Sequence, residues 1–147
     1  MSLPVEPDFA IIKKGDGGGT EVFAILCGQQ DIQINGVANL SDRFVRDCAQ
    51  PNVAPIRKTK LTGKQYDVTA SGLIDKAQLV ILHAALGKVN NYKIELYTDD
   101  GTTGGLLYGT YSGAFRLASV NVNLQREGDA LVEITLPNHG DVTLTTV

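Results

Sequence analysis

Apolar and polar residues alternate along most of this chain, and the two-residue period points to strands. The first unit reads FAIIKK, then GDGGG, then TEVFAIL: two β-prone stretches around a glycine-rich connection, which predicts a hairpin with a flexible tip. Cys27-Gly28-Gln29-Gln30 interrupts the second stretch, and Asp31 to Asn35 resumes as a half-buried strand with Ile32 and Ile34 on one face. From Gly36 to Leu61 the alternation fails, with charges at Asp42, Arg43, Arg46 and Asp47, then Pro51 and Pro55, then Arg57, Lys58 and Lys60. A long arm or loop at about 37–61 is therefore expected, anchored by Leu40, Phe44, Val45, Val53 and Ile56.

Beyond the arm, Gln65 to Ala70 alternates again, with Tyr66, Val68 and Ala70 on one face. Asp75 is placed to cap a helix over Lys76 to Leu86, Gly87 suits the left-handed residue after it, and Lys88 lies near its negative end. Leu79, Val80, Ile81, Leu82, Ala84, Ala85 and Leu86 cover more than one face, so this helix needs burial on more than one side. The competing reading is a buried strand at Leu79 to His83. Strands are expected at Tyr92 to Thr98, Leu106 to Leu117, Ser119 to Gln125, Leu131 to Leu136 and Val142 to Val147. Turns are expected at Asp99 to Gly105, at Glu127-Gly128-Asp129 and across Pro137 to Asp141. The pattern describes one mainly β domain over residues 1–147 with a single helix.

A chain of 147 residues can bury one sizeable core. Met1 to Phe9 has no basic-then-apolar pattern of a secretory or transit leader, and the chain is expected to remain in a cytosol. The longest apolar run, Leu79 to Leu82, is far shorter than a membrane span. In that compartment Cys27 and Cys48 are expected to be buried small hydrophobes and not a disulfide.

The formal charge of −3 and the lack of a basic run beyond Lys13-Lys14 and Arg57-Lys58 disfavour a surface that grips phosphates. A wall that lets DNA pass would instead be mildly negative. Catalytic and cofactor chemistry finds little support. Lys14 to Thr20 lacks the phosphate-loop order, and Asp99-Asp100-Gly101 lacks the further ligands of a calcium loop. His83 and His139 have no metal-ligand spacing around them, and Ser71 and Ser112 lack a nucleophile-elbow context. No catalytic residue, metal or cofactor is expected.

The order of elements, together with Gly63-Lys64-Gln65-Tyr66-Asp67-Val68-Thr69-Ala70-Ser71-Gly72-Leu73 leading from the arm into the helix, resembles phage tail tube proteins, whose fold type VI secretion tubes share. The resemblance implies an antiparallel β-sandwich or partly closed barrel with one flanking α-helix. It also implies six-membered rings of the chain stacked into a hollow virion tail tube that conducts DNA during ejection without binding it specifically, assembled in the host cytoplasm and independent of membranes. Implied partners are further copies of the chain, tail initiator or terminator proteins, a tape measure protein and a sheath. Asn39 to Lys60 maps to the arm and Asp75 to Leu86 to the packing helix.

The mixed charges Asp42, Arg43, Arg46, Asp47, Arg57, Lys58 and Lys60 suit contact with another copy, and Leu79 and Leu82 are candidates for the same interface. Two other classes compete. A β-sandwich binding module for carbohydrate or a receptor would want exposed aromatics on loops, and a small β enzyme would want convergent ionisable groups.

Overall fold

The computed structural model describes residues 3–26 and 29–147. Among them are eight strands and one helix: β1 Phe9–Gly15, β2 Phe23–Ile25, β3 Gln29–Val45, β4 Ile56–Leu73, α1 Lys76–Ala85, β5 Val89–Thr98, β6 Leu106–Arg116, β7 Ser119–Asn123 and β8 Leu131–Thr146. Every pairing is antiparallel. The strand order is β2-β1-β5-β6-β8-β4-β3, with β7 on the other side of the first half of β8. The result is sandwich-like: β2-β1-β5-β6 and the second half of β8 form one layer, and β3-β4, the first half of β8 and β7 form the other. The sheet does not close into a barrel.

The layers meet because each presents one apolar face. Ile12, Tyr92, Ile94, Phe115 and Val142 from the first pack with Val68, Ala70, Val132, Ile134 and Leu136 from the second, and Leu82 and Ala85 of α1 join the same cluster. At roughly 1.5–3 kcal/mol for each large side chain withdrawn from water, this cluster is the main source of stability.

The expected hairpin is present, with Lys13 opposite Ile25 and Gly15 opposite Phe23. Its tip is ordered by Asp16, whose Oδ1 accepts from the N–H groups of Gly18 (2.9 Å) and Val22 (3.3 Å); these bonds hold the carboxyl below its ordinary pKa. The expected helix is present too, and the strand alternative at Leu79 to His83 is excluded. Asp75 sits at the N-cap but makes no side-chain capping bond, whereas Gly87 adopts φ +81°, as its place beyond the helix end requires.

Two expectations are corrected. The segment at about 37–61 is not irregular: β3 and β4 continue as a paired ribbon from Asn39–Gly63 out to Val45–Ile56, and only residues 46–55 form a loop. Alternation is weak there because both faces of the ribbon meet solvent. Pro137 to Asp141 is not a turn between two strands either. β8 runs through it and changes partner: Pro137 pairs with Asp67 of β4, Asn138 with Phe115 of β6, and Val142 with Gly113. Residues 139–141 bulge opposite Ala114, which lets one strand bend from one layer into the other.

Cys48 is an exposed free thiol on the ribbon loop, not a buried hydrophobe, because nothing packs over that loop. The reading of Cys27 lies outside the described residues.

Candidate functional site: a projecting ribbon, free sheet edges and an acid-only face

The ribbon is built by register. A bulge at Thr62, whose Oγ1 donates to the Asn39 carbonyl (2.9 Å), shifts β4 by one residue relative to β3. Beyond it, Leu40, Asp42 and Phe44 lie opposite Leu61, Thr59 and Arg57, while Ser41, Arg43 and Val45 lie opposite Lys60, Lys58 and Ile56. Since side chains alternate across a strand, these sets occupy opposite faces.

The first face is apolar and self-neutralised. Arg57 donates to Asp42 at 2.7 Å, and Phe44, 71% exposed, stands beside them with Leu40 and Leu61. The second face is basic, with Arg43 directly opposite Lys58 and Lys60 one pair away. Like charges placed across a strand pair repel, and no carboxylate among the described residues forms an ion pair with any of these three. In the loop, Arg46 donates to the Pro51 carbonyl and Asp47 Oδ1 accepts from Ala49 N–H at 2.9 Å, so these two charges shape the tip.

Of the nine residues named from the sequence as interface candidates, the seven charged ones therefore share the ribbon but divide into an internal pair, two loop braces and three unpaired cations. Leu79 and Leu82 need correcting: Leu82 is buried and Leu79 packs against the core, where they hold α1 to its own sheet. The helical residues turned outward are Val80, 68% exposed, and Ile81. Helical spacing could have separated these two sets, because 79, 82 and 85 share a stripe that 77, 80, 81 and 84 do not.

On the outer face of β3-β4-β8-β7, one row reads Asp31, Ser71, Glu133 and Asn121. The next reads Gln33, Thr69, Thr135 and Ser119, and a third adds Asn35 and Asp67. Three carboxylates and a set of uncharged polar groups share these three rows without a lysine or arginine, the same face turning basic only where β3 and β4 run out into the ribbon at Arg43, Lys58 and Lys60, and Pro7, Asp8 and Phe9 border the rows as one wall of a trough. Finding it needs the register of four strands, which a single sequence does not carry. Two long-separated strands, β3 and β7, are the free edges of this layer.

Elsewhere the polar groups are structural. Asp99 and Asp100 cap their own turn, accepting from Gly101 N–H (2.9 Å) and Thr102 N–H (3.0 Å). His83 and His139 are both exposed. Among the described residues no group of three His, Cys, Asp or Glu side chains is placed to hold a metal ion, and no helix is long and apolar enough to cross a membrane.

No protein-family model and no curated protein matches the sequence. Solved structures do. A chain from the tail of an empty gene transfer agent particle, refined with C6 symmetry, superposes with a TM-score of 0.66 at 17% identity, covering 92% of this chain and 96% of that one. A chain of the SPP1 tail tube gives 0.62 at 13% identity, over 98% of this chain and 80% of that one. This chain has the tail-tube fold. A chain of the sheath–tube complex of an extracellular contractile injection system shares it as well, with a TM-score of 0.66 at 14% identity over 98% and 93% of the two chains.

Proposed function

We propose that this chain is a structural subunit of a tail tube: copies join into six-membered rings, the rings stack, and the enclosed channel conducts DNA during ejection without catalysis. The observation that carries the reading is the acid-only face of the β3-β4-β8-β7 layer, bounded by free edges at β3 and β7. A sheet open at both edges can pair head to tail with identical sheets, and a repeated heterologous contact closes into a ring when its rotation fits. The C6 symmetry of the gene transfer agent tail with the same fold supports six copies.

The acid-only face then lines the ring. Asp31, Asp67 and Glu133 repel phosphates, and the surrounding Ser, Thr, Asn and Gln side chains offer weak, sequence-independent hydrogen bonding, so a duplex is kept from adhering to the wall. The ribbon projects from this same layer and is the natural contact between neighbouring copies. A location in a virion tail follows from this reading, as do neighbours that start, end or sheathe the tube.

Negative-stain electron microscopy of the purified protein at rising concentration tests the assembly. Hollow tubes or rings of constant width are expected. Uniform small particles at every concentration, with or without a preformed tail end to seed growth, contradict it.

A further inference from the structure

The helix α1 carries two apolar stripes, and only one is used. Leu79, Leu82 and Ala85 face the core, while Ala77, Val80, Ile81 and Ala84, spaced by three, four and seven residues, form an exposed stripe. The ribbon likewise carries an uncovered apolar face at Leu40, Phe44 and Leu61. Within one chain these surfaces leave each other exposed, so neither covers its counterpart.

Building on the tube reading, we propose that the neutral face of the ribbon of one copy packs on the Ala77-Val80-Ile81-Ala84 stripe of a second copy. Size and charge select this pairing. Leu40 to Phe44 spans about 13 Å of strand, and Ala77 to Ala84 spans about 10 Å of helix, so the contacts are commensurate. Alanines at both ends of the stripe leave shallow ground on either side of Val80 and Ile81, which suits the wide ring of Phe44.

Electrostatics decides which ribbon face turns inward. The helix Lys76–Ala85 has no carboxylate, and its C-terminal end is flanked by Lys88 and by Arg116, whose Nη1 donates to the Gly87 carbonyl at 2.7 Å. The basic face with Arg43, Lys58 and Lys60 would bring three cations to a helix surface whose one nearby carboxylate is Asp75 at the N-cap. The opposite face has its only cation, Arg57, already neutralised by Asp42 and can lie on an apolar helix without leaving a charge unpaired. The basic face is then directed away from the helix.

A photo-reactive benzoyl-phenylalanine placed at Phe44 tests the contact in the assembled protein. Irradiated tubes should yield cross-linked peptides joining residue 44 to 76–88 of another copy, absent at concentrations where the protein is monomeric. Cross-links from residue 44 that map only to other regions overturn the pairing while leaving the tube reading intact; failure of the parent protein to form tubes overturns both. A second test does not depend on the photo-probe. Val80→Glu should abolish assembly with the monomer's circular dichroism unchanged, and Phe44→Lys in the same chain should restore it. Assembly of Val80→Glu at the parental concentration contradicts the proposal.

Discussion

The side-chain carbonyl of Asn138 accepts a hydrogen bond from the backbone N–H of Tyr66, 3.0 Å away, at the point where β8 leaves β4 for β6. Pairing between β4 and β8 stops at Asp67 and Pro137, so without Asn138 this N–H would face the departing strand unpartnered. The same side chain donates from Nδ2 to the Gly140 carbonyl at 2.7 Å, bracing the bulge that bends β8 between layers. One asparagine therefore closes the ladder and shapes the corner that follows it.

Replacing Asn138 should reveal both roles. Asn138→Ala leaves the Tyr66 N–H without its acceptor and should cost about 1–3 kcal/mol of stability in urea unfolding. Asn138→Asp keeps an acceptor and loses only the donor, so a smaller loss is expected. Equal losses would show that the Tyr66 bond contributes nothing.

Tyr92 presents the opposite case. Its ring is buried edge-on to Phe115, and its hydroxyl has no hydrogen-bond partner of good geometry among the described residues. Burial raises its pKa, with the Asn90 side chain acting weakly the other way. Tyr92→Phe should leave stability unchanged or raise it by up to about 1 kcal/mol, since the buried hydroxyl brings a desolvation cost with little return. A clear loss in thermal or urea unfolding would reveal a partner for that oxygen.

Tyr97 should titrate late. Its hydroxyl donates to Glu95, which also pairs with Lys13 at 3.1 Å, and ionising the phenol breaks the bond and sets two anions side by side. The hydrogen bond to Glu95, then burial, pushes its pKa from 10.0 up to about 12. Because the folded value is raised, the associated stability is fully present below pH 10 and is lost as pH climbs from 10 to about 12. Phenolate absorbance should show Tyr97 ionising near the upper end of that window, in addition to the buried Tyr92, whose pKa is also raised. Tyr97→Phe should remove one late-titrating phenol and lessen the alkaline loss of stability.

The ribbon's unpaired cations should matter between molecules and not within one. Arg43→Ala, Lys58→Ala and Lys60→Ala together remove a repulsive cross-strand cluster, so the monomer should unfold at the same or slightly higher urea concentration. Assembly should lose much of its dependence on ionic strength. Arg57→Ala differs because it breaks a pair: an exposed bridge of this kind is worth only about 0.2–1 kcal/mol to the monomer, yet it leaves Asp42 uncompensated on the apolar face. Sedimentation across a salt series separates the two effects.

Much of this fold was legible because one face of most strands is buried. Ile32 and Ile34, Tyr66, Val68 and Ala70 follow from period, and the helix before Gly87 from its apolar run and C-terminal glycine. The ribbon escaped because neither face of Ser41 to Val45 or Ile56 to Lys60 packs on a core, so no alternation marks them as strands. Pro137, Asn138 and Gly140 looked like a turn because the residues that make turns also make the bulge by which a strand changes sheets. The charged candidates were found by their density, but their division into an internal pair and a basic face depends on the Thr62 bulge, a register effect. The acid-only face was invisible for a related reason: Asp31, Asp67 and Glu133 are distant in sequence and meet only through two strand pairings.

A helical reconstruction of assembled tubes shows directly whether the acid-only face lines a channel. Asp31, Ser71, Glu133 and Asn121 should lie on the inner wall, with β3 of one copy beside β7 of the next. Tubes in which that face lies on the outer surface, or between stacked rings, would contradict it.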